Sequence, residues 1–194
     1  RLIELGLRSE GVREWNFALR DLAGDDRALL AAAARACAAA VWDRCISTSE
    51  RTQAQLDLAQ RYPMPYREQV LAQARAAGLD PADPYGLMRQ ESRFISDARS
   101  GVGASGLMQV MPATARWTAR QLGQPYSPGA LKDLDFNLRI GMAYLRRVLD
   151  DFGGALPLAA AAYNAGPGRP RRWREGAPLD AAAWAETIPF SETR

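Results

Sequence analysis

The sequence predicts a predominantly α-helical protein, and three observations support this prediction. Apolar residues recur at helical spacing along most of the 194 residues, most clearly between Asp135 and Phe152. Alanine-dense stretches such as residues 29–40 allow helices to approach one another closely. No strand-rich region is visible, and 47% hydrophobic with 24% charged residues is an ordinary globular composition.

Residues 1–62 form the first predicted region, a series of short amphipathic helices that we expect to serve as a scaffold. Gly11 and the Gly24-Asp25-Asp26 segment are the expected breaks. The predicted helices are Leu2–Ser9, Val12–Leu22, Asp26–Ala39 and a last one from Trp42 to about Tyr62.

Residues 63–194 form the second predicted region, which begins at Pro63-Met64-Pro65. A helix opened by Pro65 should end at Gly78, and Asp80 or Asp83 should cap the next helix. Residues 96–106 are polar and glycine-rich and are predicted to form a loop. Further helices are expected at 112–121, at 135–152 and in an alanine-rich stretch that ends at Gly166-Pro167. Residues 179–187 form a final segment that leads to the C-terminal residues.

Glu91 is the best candidate for a catalytic side chain. Its neighbours at helical spacing are the apolar residues Leu87, Met88, Phe94 and Ile95. Glu91 should therefore point at the core or into a cleft, where burial favours the protonated carboxyl. A protonated glutamate suits general acid catalysis. The alternative is a structural glutamate that an arginine holds at a helix end.

The absence of histidine excludes Ser-His-Asp and Cys-His catalysis and zinc sites built on histidine. Cys37 and Cys45 are too few for a four-cysteine metal site. The two cysteines can pair across a helical hairpin or remain as two buried thiols, and both alternatives stay open. Residues 101–106 spell G-x-G-x-x-G, but a helical pattern precedes them, so we reject a dinucleotide site. No metal or cofactor is expected.

The charge pattern favours no nucleic-acid partner. The formal net charge is +3, and Arg169, Arg171, Arg172 and Arg174 form a local arginine cluster. A nucleic-acid footprint would require a longer basic stripe with aromatic stacking partners, whereas an acidic polymer fits these data equally well. No transmembrane helix is indicated. The first residues resemble neither a start nor a targeting segment, so we expect a mature or excised fragment without its signal peptide.

Four segments stand in order along the second region: QESRF at 90–94, GASGLMQVMPATA at 103–115, AYNAGPG at 162–168 and IPFSETR at 188–194. Together they closely resemble the signatures of the soluble lytic transglycosylases. The resemblance covers about residues 63–194 and implies a lysozyme-like catalytic domain. Residues 1–62 resemble α-helical hairpins from the end of that family's superhelical scaffold.

The resemblance implies cleavage of the β-1,4 bond between N-acetylmuramic acid and N-acetylglucosamine in peptidoglycan, leaving a 1,6-anhydromuramoyl end. Glu91 would protonate the glycosidic oxygen and then, as a carboxylate, accept the proton of the sugar's C6 hydroxyl. The implied partners are glycan strands and cell-wall synthesis or remodelling proteins. The implied location is the bacterial periplasm.

The resemblance also implies several substrate-binding residues. Ser100 and Gln109 would hydrogen-bond the substrate or Glu91, and Tyr163 would sit beside the catalytic acid and the cleft. The position of Tyr163 and Asn164 at a helix end also suits residues that line a cleft, and the alternative for Tyr163 is simple packing. Methionine side chains would form an apolar wall and a C-terminal glutamate would face the groove; these residues are Met108, Met111 and Glu192. The alternative for the methionines is core packing, and the alternative for Ser100 is stabilisation of its own turn.

Two rival functions remain at this stage. A hydrolytic muramidase could use the same glutamate, but it needs an activated water, which a second carboxylate commonly holds. The only nearby candidate, Asp97, lies in an exposed-looking loop. A peptidoglycan-binding module without catalysis is the other rival, and the joint presence of Glu91, Gln109 and Tyr163 argues against it.

Overall fold

The computed structural model describes residues 1–174, 176 and 179–194. In this part of the chain the secondary structure is helical apart from two isolated β-bridges, which join Ser105 to Arg99 and to Val110. The predominantly α-helical prediction is confirmed. The chain divides into two compact units, residues 1–65 with 92–95, and residues 66–91 with 96–194. The division falls at 65/66, close to the predicted boundary at 62/63.

The first unit contains four α-helices and a 3-10 helix at Arg20–Leu22. The α-helices are α1 (Arg8–Ala18), α2 (Asp26–Ala38), α3 (Trp42–Ser49) and α4 (Leu58–Arg61). The predicted helix at Leu2–Ser9 is wrong, because residues 2–6 form turns and α1 runs through Gly11. Gly11 sits inside α1 because the N-terminal turns pack against it. A Cβ atom there would lie 2.7 Å from Ile3 Cγ1.

Residues 50–57 interrupt the helix that the sequence predicts from Trp42 to Tyr62. The Asp26 carboxylate, in the first turn of α2, accepts backbone N–H hydrogen bonds from Gln53, Ala54 and Gln55. These backbone hydrogen bonds lower the pKa of Asp26 below its usual range. One side chain therefore holds the linker between α3 and α4 against α2.

A disulfide joins Cys37 of α2 to Cys45 of α3, with their Cα atoms 4.9 Å apart. The two helices form a hairpin, as a disulfide between these cysteines requires. Ala40, in the turn between the helices, has a left-handed backbone conformation with φ 55°. The cysteines are therefore bonded, and the alternative of two free thiols is wrong.

The described residues of the second unit form seven α-helices and a 3-10 helix at Ala130–Lys132. The α-helices are α5 (Arg67–Ala77), α6 (Ala82–Glu91), α7 (Pro112–Gln121), α8 (Leu134–Asp151), α9 (Leu156–Ala165), α10 (Gly168–Trp173) and α11 (Ala181–Glu186). Helix α8 lies at the centre and packs against α5, α7 and α9. The apolar face predicted from its sequence, including Phe136, Ile140 and Val148, is buried. Among the described residues, no helix combines the length and the apolar character needed to cross a bilayer.

Helix ends in this unit follow the capping residues in the sequence. Helix α5 ends at Gly78 in the left-handed conformation, as predicted. Asp80 caps α6, because its Oδ1 accepts the N–H of Ala82 at 2.9 Å. Helix α10 was not predicted, because Pro167 was read only as a stop, whereas it also precedes a new helical turn.

Helix α6 ends at Glu91, so Phe94 and Ile95 do not continue its face as the sequence analysis assumed. Arg93 and Phe94 adopt left-handed backbone conformations, with φ of 48° and 62°. The Ser92 hydroxyl accepts the N–H of Phe94 at 3.1 Å and stabilises this turn. Glu91 is therefore the last residue of its helix.

Gly141 of α8 allows Met108 to approach the helix closely. A Cβ atom at residue 141 would lie 2.7 Å from Met108 Cβ and would also clash with its sulfur atom. The Met108 backbone cannot easily retreat, because its N–H donates to Asn137 Oδ1 and its carbonyl accepts from the Tyr163 hydroxyl.

We expect Gly141→Ala to lower the free energy of unfolding by about 1–3 kcal/mol, because overpacking outweighs the gain in helix propensity. Gly86→Ala is the matched control, because Gly86 also lies inside a helix but has no atom near its would-be Cβ. The control should be neutral or more stable by up to about 1 kcal/mol. Urea unfolding of both variants measures the difference, and equal stabilities would contradict the close approach.

Candidate active site

Glu91 lines a cavity of about 690 Å³ in the second unit. The cavity also contains most of the predicted binding residues, namely Ser100, Gln109, Met111, Tyr163, Asn164 and Glu192. They come from α6, the 96–110 loop, α9 and the C-terminal segment. Residues far apart in the sequence thus converge on one carboxyl group.

The environment of Glu91 favours its protonated form. Burial raises the pKa of Glu91 to about 7, and the negative charge of Glu192 contributes in the same direction. A carboxyl group with this pKa can still hold its proton near neutral pH. This agrees with the raised pKa that the sequence analysis expected for a glutamate with apolar neighbours.

The 96–110 loop contains a tight turn at residues 100–104, and Ser100 of this turn lines the cavity. The Ser100 N–H donates to the Ala104 carbonyl at 3.0 Å, and its hydroxyl accepts the Ala104 N–H at 2.9 Å. The N–H of Gly106, at φ 79°, donates to the Ala98 carbonyl at 2.9 Å. Ser100 therefore stabilises its turn and also lines the cavity. Its hydrogen bond to the substrate or to Glu91 stays a prediction.

Gln109 occupies a left-handed backbone conformation, with φ 44°, which is uncommon for a residue with a long side chain. Its side-chain amide nitrogen donates to the carbonyls of Ala98 at 3.1 Å and Gly106 at 2.8 Å. These two bonds use both amide hydrogens, which leaves Oε1 as the polar atom that Gln109 can offer to a ligand.

Asn137 of α8 connects the loop to the core and is not among the predicted site residues. Its Oδ1 accepts the N–H of Met108 at 3.0 Å, and its Nδ2 donates to the carbonyls of Ser105 at 2.9 Å and Leu131 at 3.1 Å. A Cβ atom at Gly106 would lie 2.5 Å from Asn137 Cγ, so glycine is required there. The sequence signal for Asn137 is a polar residue on the apolar, buried face of α8.

Tyr163 of α9 lines the cavity together with Glu91 and hydrogen-bonds the 96–110 loop. Its hydroxyl donates to the Met108 carbonyl at 2.8 Å, and its ring centroid is 5.3 Å from that of Tyr144. Burial raises the pKa of Tyr163 well above its usual value, and the nearby Glu91 and Tyr144 add to the shift. Tyr144 of α8 also lines the cavity and was not predicted.

The two methionines have different positions. Met111 is 38% exposed and forms part of the cavity wall. Met108 is fully buried against Gly141 and does not line the cavity. The prediction that Met108 forms part of the cavity wall is therefore wrong, and the alternative of core packing holds. The Met108 carbonyl contributes to the site by accepting the hydrogen bond of the Tyr163 hydroxyl.

The C-terminal segment brings Glu192 to the cavity. The Thr193 hydroxyl donates to Asn164 Oδ1 at 2.5 Å, which connects this segment to the end of α9. Asn164 and Glu192 also line a second cavity of about 310 Å³, which reaches Glu91 from the side of α6. Asp97 is exposed and lines neither cavity. Glu192 lines both cavities together with Glu91, and Asp83 of α6 lines the smaller one.

The arrangement can perform proton transfer in a sugar-sized cleft. One carboxyl group is poised to donate a proton, and polar side chains surround it. In the part of the chain that the structure describes, no group of three or more histidine, cysteine or acidic side chains is placed to hold a metal ion.

Comparisons with known proteins identify the family. The sequence profile described as Transglycosylase SLT domain matches residues 68–182. The soluble lytic murein transglycosylase of Salmonella typhimurium is 38% identical over 157 residues, which cover 79% of this chain and 24% of the relative. The Escherichia coli K12 protein of the same name has the same identity and coverage. The chain thus spans about a quarter of the length of these curated relatives.

Solved structures give the same result. The X-ray structure of the lytic transglycosylase Slt of Pseudomonas aeruginosa, an inactive Glu-to-Gln mutant, is 42% identical with a TM-score of 0.85. The match covers 100% of the present chain and 32% of the Pseudomonas aeruginosa chain. The 70-kDa soluble lytic transglycosylase of Escherichia coli is 34% identical with a TM-score of 0.83, over 99% of this chain and 31% of its own. The chain therefore belongs to the Transglycosylase SLT domain family.

Proposed function

We propose that this chain is the catalytic part of a lytic transglycosylase. It cleaves the β-1,4 bond between N-acetylmuramic acid and N-acetylglucosamine in peptidoglycan and leaves a 1,6-anhydromuramoyl end. The observation that carries the proposal is the partly buried Glu91, with a pKa of about 7, in a cavity of about 690 Å³. The family and the names of the relatives support the substrate and the reaction type.

Glu91 acts first as an acid and then as a base. Its proton goes to the glycosidic oxygen as the bond to the muramic acid C1 breaks, and the glucosamine unit leaves as an alcohol. The C6 hydroxyl of the same muramic acid then attacks C1, and its proton returns to the Glu91 carboxylate. The bond from O6 to C1 replaces the broken bond, so no water is consumed and Glu91 ends protonated.

The surrounding residues hold the sugar and the acid in place. Gln109 Oε1 and Ser100 are the polar groups of the loop that face the cavity, and Met111 offers an apolar surface to a sugar ring. Tyr163 fixes the position of the loop relative to α9 through its hydrogen bond to the Met108 carbonyl. Asn164 and Glu192 contribute polar groups from the other side.

A hydrolytic muramidase is the second candidate, because Glu192 places a further carboxylate in the cavity. Glycosidases that activate water commonly use two carboxyl groups. Two features favour the transglycosylase instead: the names of the relatives and a mechanism in which the substrate itself supplies the nucleophile. The products distinguish the two reactions directly.

The disulfide supports a location in the bacterial cell envelope outside the cytoplasm. A bond between Cys37 and Cys45 is typical of proteins that fold in an oxidising compartment. We propose the periplasm, where peptidoglycan is accessible. Proteins of cell-wall synthesis or remodelling are the proposed partners of residues 1–62.

The first test is mass spectrometry of the fragments released from purified peptidoglycan. We expect anhydro-ended muropeptides from the wild type and a decrease in rate of about 10³-fold or more for Glu91→Gln, because one group supplies both acid and base catalysis. Glu68→Gln, an exposed glutamate of α5, is the matched control and should keep full activity.

The identity of the products decides between the candidates. Fragments with reducing ends would show that water is the nucleophile and would support the muramidase. Binding to peptidoglycan without any release by the wild type would support the binding module. Unchanged activity of Glu91→Gln would contradict the role of this glutamate.

A second test follows the pH dependence of kcat/KM. The reaction needs protonated Glu91, so kcat/KM should fall about tenfold per pH unit above a pKa near 7. Glu192→Gln removes a charge that raises the pKa of Glu91, so the alkaline limb of the profile should move to lower pH. Burial alone should still keep the pKa of Glu91 above that of a free glutamate. Glu186→Gln, at the end of α11, should leave the limb in place. An unmoved limb in Glu192→Gln would contradict the electrostatic coupling.

A further inference from the structure

The arginines of the cluster at residues 169–174 have different surroundings in the structure. Arg169 lines the cavity that contains Glu91, whereas Arg171 and Arg172 do not. Arg171 pairs with Asp151 at 3.7 Å, and its guanidinium carbon lies 5.6 Å from the ring centroid of Phe152. One member of the cluster therefore faces the site, and a neighbouring member is part of the packing at the end of α8.

Arg169 is held in a fixed position at the wall of the cavity. Its Nη1 donates to the Ala165 carbonyl at the end of α9, at 2.9 Å. Its guanidinium carbon lies 4.9 Å from the ring centroid of Phe190, which is within cation–π distance. The Phe190 ring is itself packed against Trp173, with the centroids 5.5 Å apart and the planes at 72°.

The aromatic support under Arg169 continues into the core of the unit. Trp184 of α11 is 7% exposed, and its Nε1 donates to the Trp173 carbonyl at 3.2 Å. The Arg169 guanidinium thus lies over Phe190, and Trp173 joins that ring to the buried Trp184. Holding an arginine in place before binding lowers the entropy lost when a ligand pairs with it.

The charges of the cavity favour an anionic ligand group at Arg169. Among the lining residues that the structure describes, Arg169 is the only cation, and the acidic ones are Glu91 and Glu192. No carboxylate in the described part of the chain forms an ion pair with Arg169. Only one of its five N–H groups is used by Ala165, so the planar edge can still receive two oxygens of a carboxylate.

We propose that Arg169 binds a carboxylate on the acyl arm of the muramic acid residue, and this inference rests on the proposed function. The sugar rings and the acetamido groups of the glycan carry no charge. The carboxylates of such a strand therefore belong to the acyl arm, which is the lactyl group of muramic acid with any stem peptide attached to it. In a peptide-bearing strand the carboxylate belongs to the stem peptide, and in a peptide-free strand it belongs to the lactyl group. The chemistry recognised is the same in both.

The experiment compares carboxylated and amidated substrates. Soluble glycan strands, with or without stem peptides, are treated with carbodiimide and ammonium to convert their carboxylates to neutral amides. We expect amidation to lower the kcat/KM of the wild type by about tenfold, and Arg169→Gln to lower it by the same factor on untreated strands. On amidated strands the wild type and Arg169→Gln should be equal.

The matched control is Arg172→Gln, which removes the same charge from an exposed residue outside the cavity. It should keep the full sensitivity to amidation. Arg169→Lys should retain part of the sensitivity, because lysine keeps the charge but loses the two-pronged geometry. An effect of Arg169 on peptide-bearing strands alone identifies the stem-peptide carboxylate, and an effect on peptide-free strands identifies the lactyl carboxylate.

Equal sensitivity to amidation in the wild type and Arg169→Gln would overturn the inference. Binding of both substrates, measured by calorimetry in the Glu91→Gln background, provides a readout that does not need turnover. There Arg169→Gln should raise the Kd for untreated strands about tenfold and leave the Kd for amidated strands unchanged. If the wild type released no products, the proposed function would fail, and the binding comparison would still decide the role of Arg169.

Discussion

The cavity depends on the close approach of the 96–110 loop to α8. Two glycines make this approach possible, Gly106 on the loop and Gly141 on the helix, and Met108 and Asn137 fill the space beside them. Asn137 bonds two backbone groups of the loop, at Ser105 and Met108, and also the Leu131 carbonyl just before α8. The loop is therefore held by hydrogen bonds as well as by packing. The position of Gln109 relative to Tyr163 follows from this contact.

The electrostatics of the site follow from the same packing. The loop, α9 and the C-terminal segment surround the end of α6, and this burial is the main reason that the Glu91 carboxyl holds its proton to a higher pH than a free glutamate. Glu192 and Arg169 then set a negative and a positive charge on the cavity wall. The cavity thus combines a carboxyl group that holds its proton with one acidic and one basic side chain.

Much of the fold and of the site could be predicted from local sequence patterns. The ends of α5, α7 and α9 follow from Gly78, Pro112 and Gly166, because proline and glycine act on the backbone where they stand. Glu91 was found because a carboxyl group among apolar neighbours is physically unusual, although its helix ends sooner than periodicity suggested. The cavity residues Gln109 and Tyr163 were found through family signatures, not through periodicity.

The parts that could not be predicted depend on contacts between distant segments. Helix α1 runs through Gly11 because the N-terminal turns pack on it, and no local signal in the sequence announces that contact. Met108 and Met111 look alike in the sequence, yet one lies opposite Gly141 and the other faces the cavity. Arg169 and Arg171 differ for the same reason, because Phe190 and Asp151 reach them from remote positions.

The hydrogen bonds that the Asp26 carboxylate accepts affect the local dynamics of the first unit. This carboxylate accepts the N–H groups of Gln53, Ala54 and Gln55, so these three amides should open together and exchange their hydrogens as one group. The lowered pKa of Asp26 means that this protection is present above the carboxyl's usual range and is lost as the pH falls through the lowered value. In acid, the linker between α3 and α4 therefore becomes a local opening unit controlled by a single proton.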